Sequence, residues 1–332
     1  MGHFVRCRAL AKLLVQKEDA EKGKQRGLTP LFAFSRVVFA MRGGDEFVSH
    51  IRRDGFEYVA VEGGDAERIL RDFSPFAVVV DLSQGAEEFL AAIGENDVRT
   101  IVIDDLGGRS FGCDVLVNGT AVEEFRRYPE GAAGKMLLGP KYMIMREEFA
   151  GVASAAKLAT TRVGSVFVSL GGDDPDGVVY GVVHSLEKMQ FAGKVVIALG
   201  ASFRDPRGFE AMTKDLSCDY ETLHNVDGIA AIMRHSDVAI VSGGMTLYEL
   251  ACAGTPGLAI SMNGQQLMEA GEFARRGAVV NMGMWDAVEE DAIIGELKQL
   301  INDRVLRAKM SEAGPRIVDG RGVFRVGEEV LG

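Results

Sequence analysis

The stretch from Val241 to Gln266, VSGGMTLYELACAGTPGLAISMNGQQ, constrains the fold more than any other part of the chain. The run before it, Asp237 to Val241, is short, apolar and β-branched, as expected of a parallel strand buried on both faces. Ser242-Gly243-Gly244 then forms a turn in which the backbone lies bare. Met245 to Ala253 are good helix formers, with Leu247, Leu250 and Ala251 at helical spacing. Gly254-Thr255-Pro256 stops that helix, and Gly257 to Met262 opens another strand. The amides of Gly244, Met245 and Thr246 would form the first helical turn, where unpaired N–H groups and the positive end of the dipole favour a phosphate. Glu249 stands about one turn further on, where a carboxylate can accept hydrogen bonds from sugar hydroxyls. Gln265 and Gln266 follow the next strand at its carboxyl end, the side on which open α/β sheets bind ligands.

The same alternation runs through the rest of the chain. In the first half, strand-like runs occur at Val37–Met41, Tyr58–Val61, Ala77–Asp81, Thr100–Asp104, Val115–Val117 and Lys135–Gly139. Helical patterns fall at Phe4–Val15, Glu46–Arg53, Ala66–Asp72 and Glu87–Ile93, and Lys17–Gly27 reads as the end of the first helix and a solvated loop. In the second half, strands are expected at Val166–Leu170, Lys194–Leu199 and Tyr220–His224. Helices are expected at Val178–Gln190, Ile229–His235, Glu289–Ile301 and Val305–Glu312. Strands alternating with helices imply parallel sheets wound on both faces. Ala150 to Thr161 is small and polar, so the reading gives two α/β domains, 1–149 and 162–332, joined by a linker at 150–161.

At 332 residues the chain can bury two cores of ordinary size. A net charge of -11 argues against a nucleic-acid partner. The four cysteines, Cys7, Cys113, Cys218 and Cys252, are scattered and suit neither a disulfide framework nor a zinc site. Leu31 to Met41 is apolar but interrupted by Arg36 and too short to span a bilayer. With no signal peptide visible, the expected location is the cytoplasm, without stable membrane insertion. Histidine or carboxylate groupings that would hold a metal are not visible, so neither metal nor cofactor is expected. His50, His184, His224 and His235 read as surface or helix residues. Asp104 and Asp105 are adjacent strand residues pointing to opposite faces, which suits turn or capping roles rather than paired acids. Asp173-Asp174-Pro175 reads as the cap of the following helix.

Four blocks in this order resemble the UDP-sugar hydrolases of pseudaminic acid biosynthesis, a family that includes spore-coat polysaccharide proteins. They are Gly2-His3-Phe4-Val5-Arg6-Cys7-Arg8-Ala9-Leu10-Ala11; Ile103 to Leu106 with Cys113 to Asn118; Leu137 to Tyr142 with Arg146 to Phe149; and Val168 to Gly172 through Asn225, the opening stretch and Asp319 to Gly322. That family in turn resembles the GT-B glycosyltransferase that adds N-acetylglucosamine to a lipid-linked peptidoglycan precursor. The resemblance implies two Rossmann-like doubly wound domains facing a cleft, with UDP on the C-terminal one. By the same carry-over Gly171, Gly172, Gly243, Gly244, Met245 and Thr246 hold diphosphate, Glu249 holds ribose and Asn225 lies beside the uracil. Gly2, Arg6, Gln265 and Gln266 complete the substrate-binding set, and His3, on a glycine-histidine turn, serves as the base. The implied reaction is attack of water at the anomeric carbon of a UDP-linked amino-deoxy sugar (2,4-diacetamido-2,4,6-trideoxy-hexose-like), with inversion and release of UDP.

Two departures qualify that expectation. Met1 stands at the middle residue of the family's G-x-G-H turn, and the strand before that turn is missing. The reading therefore expects the natural start upstream, and an in-frame stop codon directly before Met1 would refute it. After Val80-Asp81 the family carries an aromatic residue where this chain has Leu82-Ser83-Gln84, and Gln265-Gln266 is closer to the transferase than to the hydrolases. A glycosyltransferase of the same fold, and a UDP-sugar binding protein without catalysis, are the alternatives.

Overall fold

Apolar runs of four to six residues become parallel strands here, and the helices between them lay their apolar stripes on one sheet face or the other. The computed structural model describes residues 2–24, 36–41, 45–61, 65–82, 84–94, 98–152, 159–172, 174, 176–224, 226 and 228–332. The chain forms two compact units, residues 2–147 with 321–332, and residues 148–320.

The first unit begins with α1 (Gly2–Lys24), followed by β1 (Val38–Met41), α2 (Asp45–Arg53), β2 (Glu57–Ala60), α3 (Ala66–Phe73), β3 (Ala77–Val80), α4 (Ala86–Ile93), β4 (Arg99–Ile103), β5 (Cys113–Asn118) and β6 (Ala133–Leu138). Helix α1 continues into the charged segment expected to be a helix end and loop, as far as Lys24, because Lys, Glu, Gln and Ala are all strong helix formers. It serves two cores. Leu10 and Leu13 pack with Ile101, Ile103, Val115 and Val117. Phe4 and Ala11 pack with Phe39, Phe47, Ile51 and Phe56, the Phe4 and Phe47 rings stacking at 4.4 Å. Val80, Val102 and Leu116 point to the opposite face and meet Ala86 and Leu90 of α4.

Strands β3, β4, β5 and β6 form one parallel sheet in that order, and β1 pairs with β2 alone.

The second unit contains β7 (Ser165–Ser169), α5 (Val178–Lys188), β8 (Lys194–Leu199), α6 (Pro206–Lys214), β9 (Asp219–His224), α7 (Ile229–His235), β10 (Val238–Ser242), α8 (Met245–Ala253), β11 (Gly257–Ser261), α9 (Gly264–Arg275), β12 (Val280–Met284), α10 (Glu290–Asn302) and α11 (Arg304–Ile317). Its sheet runs β12-β11-β10-β7-β8-β9, all parallel, and β10 and β11 are buried throughout. Asp174 accepts from the amides of Val178 and Val179, the capping role expected of it. Helices α6 and α9 and strand β12 are not evident in the sequence pattern; Asp205 and Asn263 cap the two helices by accepting from the amides of Gly208 and Gln266.

The final helix, α12 (Gly322–Leu331), corrects the sequence-based division, which assigned it to the C-terminal domain. It packs in the first unit, where a Cβ on Gly327 would lie 2.7 Å from Leu13. Glycine makes the return possible: a Cβ on Gly322 would stand 2.1 Å from the Met143 carbonyl oxygen. Arg325 donates to the Lys141 carbonyl at 2.6 Å, and Lys135 pairs with Glu329 at 2.6 Å.

Candidate functional site

In the second unit the strand order reverses between β7 and β10, and the loops leaving these two strands are both glycine turns. Open α/β sheets bind ligands at such a reversal, outside the carboxyl ends of the strands. Gly171 has φ +106°, and a Cβ there would lie 3.7 Å from Ser242 Oγ, so the two loops adjoin. Gly172 follows, part-exposed. Gly243 is obligatory for packing: its Cβ would come within 2.7 Å of the Gln266 carbonyl oxygen and 3.0 Å of Ser261 Oγ.

Gly244 is the N-cap of α8, and no side chain caps that helix. The first-turn amides of Met245 and Thr246 therefore keep the donor capacity that a helix start leaves over. Gln266 Oε1 accepts from the Met262 amide at 3.0 Å, and its Nε2 lies 3.4 Å from where a Gly244 Cβ would be. Its amide donor thus stands over the turn, with Gln265 beside it in the first turn of α9. Ser261 Oγ is buried and has no hydrogen-bond partner among the described residues. The turn thus gathers main-chain amides, a carboxamide and a hydroxyl, a donor set suited to an anion.

Two expected residues stand differently. Glu249 is only 1 % exposed within α8, so in this arrangement solvent does not reach its carboxylate. Asn225 lies outside the described residues.

In the first unit a second group of polar residues gathers at the carboxyl ends of β3 and β4. These strands are neighbours, with Val80 opposite Val102, so Asp81 and the Asp104-Asp105 pair leave the sheet side by side. His3 and Arg6, one helical turn apart, share a face of α1. His3 Nδ1 lies 2.5 Å from Asp81 Oδ1. Arg6 grips the same carboxylate twice, Nε to Oδ2 at 2.7 Å and Nη2 to Oδ1 at 2.6 Å, and donates Nη1 to Asp105 Oδ1 at 2.7 Å. Gly2 opens the helix, so His3 belongs to its first turn rather than to a separate glycine-histidine turn.

Burial and charge partition this cluster. The Asp81 side chain is 3 % exposed, while His3 is 50 % exposed. Burial alone would raise the Asp81 carboxyl, but the hydrogen bonds from Arg6 and His3 outweigh it and hold the group well below the usual carboxylate range. Burial likewise opposes the charge on Arg6, and the bonds to Asp81 and Asp105 more than restore it. Cys7 donates to Asp81 at 3.3 Å, and burial and that carboxylate push its thiol up, so it is no nucleophile.

Asp104 and Asp105 do have separate tasks. Asp104 is buried and accepts from the Gly107 amide at 2.7 Å, Arg109 at 2.7 Å and the Tyr128 hydroxyl at 2.6 Å, the turn role expected of it. Asp105 instead reaches Arg6, which corrects its assignment to a turn. Asp81 was not among the sequence-derived site residues. The available signal was an acid at the end of the run Ala77 to Val80, and its partner lies 78 positions away. His184 and His235 are exposed; His184 pairs with Glu290 of α10, and His235 meets the Ala231 carbonyl one turn back in its own helix. Among the described residues no group of three His, Cys, Asp or Glu side chains is placed to hold a metal, and no helix is long and apolar enough to cross a membrane.

Two doubly wound units of parallel strands, the second reversing its strand order between paired glycine turns, define the GT-B class of folds. The crystal structure of MurG from Acinetobacter baumannii superposes with a TM-score of 0.65 over 97% of this chain and 96% of that one, at 12% identity. UDP-GlcNAc 2-epimerase from Neisseria meningitidis, solved with UDP-GlcNAc bound, gives a TM-score of 0.61 over 98% and 97% of the two chains, at 13% identity. In sequence the chain is similar to the spore coat polysaccharide biosynthesis protein SpsG of Bacillus subtilis (strain 168), 26% identical over 333 residues, covering 98% of this chain and 92% of that protein. No family profile matches the chain.

Proposed function

We propose that the protein hydrolyses a UDP-linked amino-deoxy sugar, releasing UDP, in the synthesis of a surface polysaccharide. The observation that carries this reading is the pairing of a half-exposed histidine with a buried, ionised carboxylate, His3 with Asp81. A carboxylate can only accept, so at 2.5 Å the Nδ1 must carry the proton. The Nε2 lone pair is then free to take a proton from water, the role of a general base near neutral pH. With Nδ1 protonated, the 3.2 Å approach of Arg6 Nη2 to that atom is a packing contact, not a hydrogen bond.

The diphosphate belongs, in this reading, to the turn Gly243-Gly244 and the amides of Met245 and Thr246, with Gly171 and Gly172 alongside. Departure of UDP needs its growing charge stabilised, and preorganised amides at a helix start do so without reorganising. Attack of water on the face opposite the leaving group gives inversion at the anomeric carbon. Similarity to SpsG supports a place in polysaccharide synthesis, and the bound UDP-GlcNAc of the Neisseria meningitidis epimerase supports a UDP-sugar as ligand.

The pair Gln265-Gln266, closer to the transferase than to the hydrolases, favours a second reading, a transferase that passes the sugar to an acceptor hydroxyl. Phosphorus NMR with a panel of UDP-amino sugars and no acceptor separates the two. Release of UDP from one of them, abolished by His3→Ala with UDP affinity retained, is the expected result. Turnover that appears only when an acceptor sugar is added would replace hydrolysis by transfer.

A further inference from the structure

The chain His3–Asp81–Arg6–Asp105 holds more negative charge than fixing a histidine requires. We infer that Asp105 balances the charge of the proton accepted by His3, acting through Arg6, while Asp81 positions the ring. This rests on the reading of His3 as a base.

The charges can be counted. Asp81 and Asp105 contribute two negatives and Arg6 one positive, so the cluster carries one net negative charge while the imidazole is neutral. When His3 takes a proton the cluster becomes neutral. Without Asp105 it would begin neutral and end positive, beside side chains with little water to screen them: Arg6 is 6 % exposed and Asp81 3 %. A charge in such surroundings is disfavoured unless an opposite one lies near. Asp105, 25 % exposed, is tied to the cluster by its bond to Arg6 Nη1.

Geometry separates the two carboxylates' roles. Asp81 is clamped by both prongs of the guanidinium, so its Oδ1 is fixed in front of Nδ1 and dictates the tautomer. Asp105 does not touch Nδ1 and cannot dictate it. The other titratable group against Asp81 is Cys7, whose raised thiol stays neutral. Further along α1, Arg8 and Lys12 are engaged with Asp54. Among the described residues the charged groups that meet His3 are therefore Asp81 from the end of β3 and Arg6 from its own helix.

Nitrogen NMR of the whole protein labelled at histidine tests the proposal without using turnover. The His3 signals are assigned by their loss in His3→Gln. Wild type is expected to show a protonated Nδ1 and bare Nε2 when the ring is neutral. Asp105→Asn should keep that tautomer and lower the pH at which His3 takes up its second proton, because the charged ring loses its compensating negative. Asp81→Asn should move the proton to Nε2, since a carboxamide can donate to Nδ1. If Asp81→Asn fails to fold, Arg6→Lys, which loses the two-pronged grip, should give a mixture of tautomers. Unchanged His3 protonation in Asp105→Asn, or a wild-type ring protonated at Nε2, overturns the inference. Loss of the base reading shows separately, as UDP release that survives His3→Gln. In an active enzyme, Asp105→Asn should also move the acid limb of kcat/KM to lower pH by that same interval.

Discussion

Gly243 and Gly244 are adjacent and identical, yet their replacement by alanine should do opposite things. At Gly243 the new methyl would lie 2.7 Å from the Gln266 carbonyl oxygen and 3.0 Å from Gln266 Cβ and Ser261 Oγ. The first of these is backbone in the first turn of α9, so relief requires that turn to move away from the β10–α8 turn. Forcing one methyl into such a contact costs roughly 1–3 kcal/mol. For a unit of this size that is a fall in Tm of roughly 2–12 °C. At Gly244 the nearest atom is Gln266 Nε2 at 3.4 Å, the end of a rotatable side chain, and the fold can absorb the change. There the methyl stands instead over the amides proposed to hold phosphate. Loss of one charge-assisted hydrogen bond weakens UDP by about 1.5–3 kcal/mol, or roughly tenfold to hundredfold. Calorimetric melts and UDP titrations on both variants separate the effects. A Gly243→Ala protein as stable as wild type would refute the packing argument. A Gly244→Ala protein that binds UDP at full strength would refute the placement of the diphosphate.

Two further outcomes follow from polar groups of the second unit. Ser261→Ala removes a hydroxyl that is buried without a partner, so melts without ligand should be unchanged or slightly higher, while UDP binding weakens by about 1 kcal/mol; equal affinity would exclude the hydroxyl from the anion site. Glu187 accepts from the Ser217 amide and hydroxyl and the Cys218 amide; burial opposes its charge, but these bonds outweigh that and push it down to about 2 from an ordinary 4.5. A depressed folded-state pKa gives stability present above the unfolded value and lost as pH falls, here between about 4.5 and 2. Urea melts of Glu187→Gln over that window should show a shallower acid decline than wild type, and an identical slope would sink the assignment.

Alternation of strands with helices, parallel pairing, and a bare glycine turn before a helix at residues 242–245 were all legible in the sequence. These are local properties: β-branched runs, helical spacing and glycine each act within a few residues. The sequence underdetermined the ends of elements for the same reason. Helix α1 outruns its apolar stripe because propensity carries it on, and β12, Val280 to Met284, is hidden by the asparagine and glycine within it. The tertiary structure sends α12 back to the first unit, where Val323, Val326 and Val330 join the core of Leu10 and Leu13 and the bare backbone at Gly322 fits against Met143. It alone also joined His3 to Asp81 and Arg6 to Asp105. Those pairs are separated by 78 and 99 positions, and nothing local links them. They meet because parallel strands β3 and β4 end at the same edge of the sheet, beneath the first turns of α1. Residue types announced a base and an anion site, and strand order decided which acid serves the base.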